Sequence, residues 1–361
     1  MSGAGKARPR DLGVRLGLLA PGPRNSIADV AGVTVGHKTL MSGEGALVPG
    51  QGPVRTGVTV ILPHSGNIFK EKVEAAVHVV NGFGKAAGLA QIVELGVLET
   101  PIALTNTFGV AAALDGLLDY VLAQNTDIGV TTGTVNAVVG ECNDAFLNDI
   151  RGRHLTPSHV VDAISRAQSD FAEGDVGAGK GMVCFGYKGG IGTASRQTGG
   201  FIVGCLVLTN FGSKENLTIA GVPVGVELWR KEQQQAEAGD GSVIIVLATD
   251  APLDSRQLGR LARRGGFGLA RTGSVASHGS GDFVIAFSST NRKPHDSQGF
   301  VCNSTFVHES GELFTGLFQA VAESVEEAVI NSLFAADTVV GRDGNIRSEE
   351  HTSELQSRHN L

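Results

Sequence analysis

Residues 236–250 read AEAGDGSVIIVLATD. A polar approach, KEQQQAEAG, leads to Asp240-Gly241, and a run dominated by Val, Ile and Leu then starts on Ser242. An apolar run without polar alternation reads as a strand covered on both faces, so this one needs layers around it. Asp-Gly supplies a turn in front of the strand. A serine at the mouth of a strand has a plain structural use, because its hydroxyl satisfies nearby backbone groups. The abrupt passage from polar connection to buried strand also admits a chemical use for Ser242.

Further Val- and Ile-rich runs lie at residues 32–37, 57–64, 101–107, 131–141, 201–210 and 281–290, each of strand character. Between them, residues 86–98, 109–124, 157–168, 254–272 and 311–334 carry apolar side chains at three-and-four spacing and are expected to be helices. Thr156 before Pro157, and Asp254 after Pro252, are start signals for two of these helices. The last helix, acidic at AESVEEA, is expected to lie on the surface over a sheet. Strands mixed with helices, with no linker and no internal repeat, predict one α/β or α+β unit built in layers.

Composition narrows the function. The 361 residues carry a net charge of −7 and no basic stripe interleaved with aromatics, which argues against nucleic acid and against an anionic membrane surface. No apolar run reaches the roughly 18–20 residues a bilayer span needs. The opening MSGAGKARPRDLG lacks the apolar stretch of a secretory signal, so a cytoplasmic location is expected. Cys142, Cys184, Cys205 and Cys302 are far apart in sequence and read as reduced thiols. Glycine, 51 of 361 residues, is about twice as common as usual and implies many tight turns and close backbone approaches. Residues 347–361, RSEEHTSELQSRHNL, break with the text before them and read as a non-native tail, so His351 and His359 carry no functional weight.

One motif invites misreading. GDVGAGKG, from Gly174 to Gly181, fits a phosphate-binding loop until Gly181 stands where Ser or Thr would hold magnesium. A non-catalytic nucleotide-binding protein built on it is the alternative of a different class. The better reading is a glycine loop that brings backbone N–H groups close to a site or to another strand, with Gly179 and Gly181 as candidate site lining. The histidines show no metal-binding spacing; His278, in ASHGSGDF, is the one beside another interesting motif. No G-x-S-x-G elbow is present.

For Ser242 the chemical reading is specific. A serine hydroxyl needs an adjacent base, and one base is the residue's own α-amino group once the bond before it is cut. That amine has an ordinary pKa of about 7.7–8.0, close to working pH. Release uses the same chemistry: Ser242 Oγ attacks the Gly241 carbonyl, the acyl group shifts from N to O, and water hydrolyses the ester. Gly241, lacking Cβ, leaves its carbonyl open to attack.

Several segments together, VGVELW, GDGSVIIVLATDAPL, SHGSGDFVIAFSST, LTNFG, VGAGKGM with YKGGIGTASR, and LETPIALTNT, resemble the L-aminopeptidase/D-esterase family, which includes the β-peptidyl aminopeptidases. The resemblance runs over residues 11–344 in the family's order and spacing. It implies a four-layer αββα sandwich, α+β in class, similar in layering to N-terminal-nucleophile hydrolases with different connectivity. It further implies a precursor cut into residues 1–241 and a chain starting at Ser242, no cofactor and no metal, and a homo-oligomer, a tetramer of αβ units. Substrates would be short peptides, amides or esters.

By position in those motifs, Ser242 matches the nucleophile and Asn210 the side-chain amide donor of the oxyanion hole. Ser280 and Asp282 match the hydroxyl and carboxylate that orient the nucleophile and relay protons. Glu141 and Asn143 fall in the segment ECND, where the family's ETYD-like pattern has a tyrosine near the oxyanion; Asn143 is shorter and cannot act as a phenol acid. Cys142 has no histidine close in sequence and is not expected to be the nucleophile. Acyl transfer to an acceptor other than water, as in the related ornithine acetyltransferases, is the enzymatic alternative, although their nucleophile is threonine.

Overall fold

The computed structural model describes residues 6–232, 241–296, 299–309 and 311–349. Most of KEQQQAEAGDG, expected to become a new chain end on cutting, and residues 350–361 of the terminal segment lie outside the described residues. Two sheets face each other. The strands are β1 (Thr34–Ser42), β2 (Val54–Leu62), β3 (Glu71–Gly82), β4 (Val97–Leu98), β5 (Ile102–Asn106), β6 (Val138–Cys142), β7 (Val183–Cys184), β8 (Tyr187–Lys188), β9 (Ile191–Thr198), β10 (Phe201–Asn210), β11 (Ser242–Thr249) and β12 (Gly281–Pro294). One sheet has the order β1-β2-β5-β6, the other β4-β3-β12-β11-β10-β9, while β7 and β8 form a separate hairpin. The helices are α1 (Leu89–Leu95), α2 (Val110–Gln124), α3 (Pro157–Ser165), α4 (Val224–Glu232), α5 (Ser255–Ala262), α6 (Gly265–Arg271) and α7 (Gly311–Phe334).

β11 shows why the layers stack as they do. Side chains alternate along a strand. Val243, Ile245 and Leu247 enter a core shared with α5, α6 and α7, whereas Ile244, Val246 and Ala248 enter a core between the sheets with Ile61, Ile102, Leu104 and Val138. A third core joins the outer face of the smaller sheet to α2 and α3 through Val58, Val60, Leu117 and Val160. Three cores between four layers give the αββα sandwich, and the unbroken apolar run of β11 is the signature of a strand buried on both sides. Ser242 has the parity of Ile244 and Val246, so it opens at the end of the inter-sheet core.

The predicted starts are present. Thr156 caps α3, its N–H donating to His159 Nδ1 at 3.1 Å, and Asp254 caps α5, accepting from Gln257 N–H at 2.6 Å. Four expectations are corrected. Residues 131–137 are not strand, and β6 begins at Val138. The helix expected over 86–98 is short, and Val97–Leu98 instead pair with β3. The helix expected over 254–272 is two helices, broken at Arg263-Arg264 ahead of Gly265, where an added Cβ would stand 2.9 Å from Val284 Cγ2. That close approach to the sheet suits a glycine, and the Gly265-Gly266 pair weakens helix continuity.

The fourth concerns α7, which is no surface helix: Glu323, Glu326 and Glu327 are all buried. Their charges are matched inside the protein. Arg196 from β9 reaches Glu323 at 3.1 Å and also Glu327, Arg10 meets Glu327 at 2.5 Å, and Arg271 meets Glu326 at 2.7 Å. No described helix is long and apolar enough to cross a membrane.

Candidate functional site

The register of the larger sheet assembles the site. β10 ends on Asn210, which pairs with Ser242 at the start of β11, and Ser242 pairs on its other side with Gly281 at the start of β12. Three strand ends thus place Asn210, Ser242, Ser280 and Asp282 in one patch, all buried. β6 of the facing sheet brings Glu141, Cys142 and Asn143 to the same point, closing it from across the inter-sheet core.

Two N–H donors converge on Ser242 Oγ: Asn210 Nδ2 at 3.4 Å and the backbone N–H of Asn143 at 3.3 Å. The Asn210 amide has its orientation fixed, because Val183 N–H donates to its Oδ1 at 3.0 Å and a backbone N–H can do nothing but donate. The Asn143 side chain is turned away, its Oδ1 accepting from Ala145 N–H at 2.9 Å. What the position supplies is main chain, which is why a side-chain comparison missed it.

Ser280 Oγ donates to Asp282 Oδ1 at 2.5 Å. The other carboxylate oxygen, Oδ2, is buried without a hydrogen-bond partner. Burial pushes the Asp282 carboxyl above its ordinary value, while the Ser280 hydroxyl and Val243 N–H pull it back. Among the described residues no hydrogen bond joins Ser280 or Asp282 to Ser242 Oγ. Asn81, at the end of β3, donates to the carbonyls of Ser277 at 3.0 Å and Ser280 at 2.5 Å and so pins the turn ahead of β12. No motif in the sequence points to Asn81, and the polar residues of β3 mask its strand character.

An added Cβ on Gly241 would lie 2.8 Å from Phe211 Cβ and 2.9 Å from Phe211 Cα, so a larger residue here requires the backbone or Phe211 to shift. Its carbonyl accepts the Gly281 N–H at 3.2 Å. Cys142 is fully buried, and burial drives its thiol well above the ordinary value, which disqualifies it as a nucleophile. The Glu141 carboxylate is held by Lys85 N–H at 2.7 Å and by the Thr107 hydroxyl.

The glycine loop has its contacts taken up by the protein. Gly177 N–H donates to Thr39 Oγ1 at 2.8 Å, Ala178 N–H to Thr59 Oγ1 at 3.2 Å, and Lys180 pairs with Asp175 at 2.6 Å. An added Cβ on Gly181 would stand 2.2 Å from Arg55 O, and one on Gly179 2.5 Å from Gly174 O, so both are there for close backbone packing. The short 3₁₀ turn Gly177–Gly181 opens no α-helix. His278 is exposed, near Phe83, and among the described residues no three His, Cys, Asp or Glu side chains are grouped to hold a metal.

Residues 25–347 match the profile of Peptidase family S58. The chain belongs to Peptidase family S58. It is 41% identical to a beta-peptidyl aminopeptidase of Sphingosinicella microcystinivorans, over 95% of this chain and 90% of that protein. Among solved structures it is similar to a protein from Pyrococcus horikoshii OT3, with 54% identity, a TM-score of 0.93 and coverage of 97% and 98% of the two chains. It is also similar to the L-aminopeptidase D-Ala-esterase/amidase of Ochrobactrum anthropi, described as a prototype for the serine aminopeptidases and a new variant of the Ntn hydrolase fold. That likeness has 38% identity, a TM-score of 0.89 and 98% coverage of both chains. The S58 chain is accordingly a hydrolase of the aminopeptidase class with the layered fold of that variant.

Proposed function

We propose that this S58 chain is a precursor that cuts itself between Gly241 and Ser242 and then works as a serine aminopeptidase on short peptides, amides or esters with a small residue at a free amino end. The observation that carries the reading is the convergence of two N–H donors on Ser242 Oγ directly after a glycine whose added Cβ would crowd Phe211. In the precursor, Ser242 Oγ attacks the Gly241 carbonyl carbon and gives up its proton, the C–N bond breaks, and the proton ends on the departing nitrogen, leaving an ester on Ser242 and a free amine. Gly281 N–H, already on the carbonyl oxygen, stabilises the charge that develops there. Water then hydrolyses the ester, releasing the Gly241 carboxylate. Residues 1–241 and 242–346 would act as one hydrolase unit, soluble in the cytoplasm and assembled as a homo-oligomer.

In the mature enzyme the Ser242 amine takes the Oγ proton as Oγ attacks a substrate carbonyl. Asn210 Nδ2 and Asn143 N–H lie beside Oγ and are placed to bind the resulting oxyanion; hydrogen bonds of this kind are commonly long before substrate is bound. The amine or alcohol leaves with a proton, and water clears the acyl-enzyme. Asp282 Oδ2, lacking a partner in the uncut chain, is an acceptor for the new ammonium. Glu141 and Asp282 are the buried carboxylates that flank Cys142 and suit a substrate's amino end.

The experiment is a denaturing gel of purified protein. Two pieces are expected, the smaller with N-terminal sequence SVIIV, whereas Ser242→Ala stays whole and inactive. An unbroken chain that hydrolyses an aminoacyl anilide would end this reading.

A further inference from the structure

Lys188 closes the β7–β8 hairpin and is among the largest fully buried side chains of the protein. Its Nζ donates to three backbone carbonyls, Gly179 O at 2.8 Å, Met182 O at 2.8 Å and Gly189 O at 2.6 Å. An ammonium has three N–H bonds, so the match is complete and no direct carboxylate contact takes part. Taking a charge out of water is costly even when it is well bonded, and burial here pulls the amine down to about 7, with Asp175 opposing the fall. A lysine is a poor way to fill a core unless the clamp itself is needed.

The clamp lies next to the candidate oxyanion donor. Met182, whose carbonyl Lys188 holds, is followed by Val183, whose N–H fixes Asn210 Oδ1 at 3.0 Å. Gly189 N–H also donates to Met182 O, at 3.2 Å, which ties both sides of the hairpin to one atom. With Oδ1 fixed, the planar amide must present Nδ2 to Ser242, and it does so at 3.4 Å. A flipped amide would turn an oxygen toward developing negative charge. The hairpin strands are only two residues each, too short to hold this geometry through their own ladder.

We infer that Lys188 is a positioning residue for catalysis: by clamping the Gly179, Met182 and Gly189 carbonyls, it holds Val183 N–H against Asn210 and so keeps the Asn210 amide aimed at the oxyanion. The inference rests on the reading of Asn210 as oxyanion donor. Lys188 touches no reacting atom itself.

The test is a double-mutant cycle on the cut enzyme with an aminoacyl anilide. Lys188→Met should lower kcat about tenfold or more with KM within about twofold, because the lost interaction is made in the transition state. In an Asn210→Ala background the same change should cost less than about twofold, since the group it positions is gone. A full, additive loss in that background, or wild-type kcat for Lys188→Met alone, overturns the inference. An Asn210→Ala enzyme with wild-type kcat would instead sink the oxyanion reading, and the inference with it. Should Lys188→Met fail to fold, replacing Val183 by its α-hydroxy analogue through nonsense suppression turns the N–H into an ester oxygen and at the same time weakens Met182 O as the acceptor that Lys188 holds, so both links of the proposed chain are loosened in one step. That substitution is expected to cost kcat about tenfold or more; an unchanged kcat breaks the chain of contacts and overturns the inference.

Discussion

Asp282 holds a buried, unpartnered Oδ2, and its neighbours do not cancel the effect of burial on its carboxyl. The sign follows. A carboxyl raised above its ordinary value takes up a proton at higher pH than a solvated aspartate, so whatever needs its anion fails earlier on acidification. Before cutting there is no α-amine at Ser242, and we propose that the Ser280–Asp282 pair, which matches the family's proton relay, carries the Oγ proton to the departing nitrogen, although neither residue is hydrogen-bonded to Oγ beforehand. Self-cleavage of the precursor is therefore expected to slow as pH falls through a midpoint above the ordinary aspartate value of about 3.9. Asp282→Asn should cut slowly and without that midpoint. Timed gels across pH decide it, and a midpoint that persists in Asp282→Asn assigns the titration elsewhere. At this scale the sequence was most legible where motifs name a side chain, as at Ser242, Asn210, Ser280 and Asp282. It was least legible where the proposed working atom is main chain: the N–H groups of Asn143 and Gly281 leave no mark on residue identity.

The strands foreseen were those with an apolar pattern, and the two long ones missed carry polar residues that the fold pairs. β3 reads EKVEAAVHVVNG, and its Lys72 and Glu74 find Glu99 and Lys293, each at 2.7 Å. β9 reads IGTASRQT, and its Thr193, Ser195 and Arg196 are buried among hydrogen-bond partners from the amino-terminal segment and α7. Periodicity cannot see a charge whose partner is more than twenty residues away in sequence. The start of β11 is different, because there the requirement is steric. An alanine at 241 would drive its Cβ to 2.8 Å from Phe211 Cβ, and the backbone that carries the scissile carbonyl would have to move. Gly241→Ala should slow self-cleavage about 10- to 100-fold, the scale of a misplacement near 1 Å. Molecules that do cut should turn over substrate normally, since residue 241 then belongs to the other chain. Cleavage of Gly241→Ala at the wild-type rate would show that the carbonyl's position is not set by this contact.

Across the whole molecule, the feature that joins distant parts of the chain is the ion cluster under the larger sheet. Arg196 has no exposed side-chain surface and meets both Glu323 and Glu327, while Arg10 ties the amino-terminal segment to Glu327. Burial pushes both carboxyls up, yet the Leu18 and Leu19 N–H groups and Arg196 at Glu323, and Arg10 and Arg196 at Glu327, hold both below the ordinary glutamate value. A folded-state value below the unfolded one adds stability that is complete above the unfolded pKa and is lost as pH falls through the folded one. Arg196→Met would leave two buried carboxylates short of a partner, a change that typically costs about 3–5 kcal/mol because the stranded charge, more than the lost attraction, sets the penalty. Urea denaturation in a Ser242→Ala background, where one unbroken chain unfolds, should show a loss of that size at neutral pH. The gap should narrow as pH drops through the carboxylate range, because protonated glutamates no longer need the guanidinium. A loss under about 1 kcal/mol, or a gap that widens in acid, would mean that water reaches these carboxylates and that apolar packing of α7 on β9 and β10, not the ion cluster, fastens the helix to the sheet.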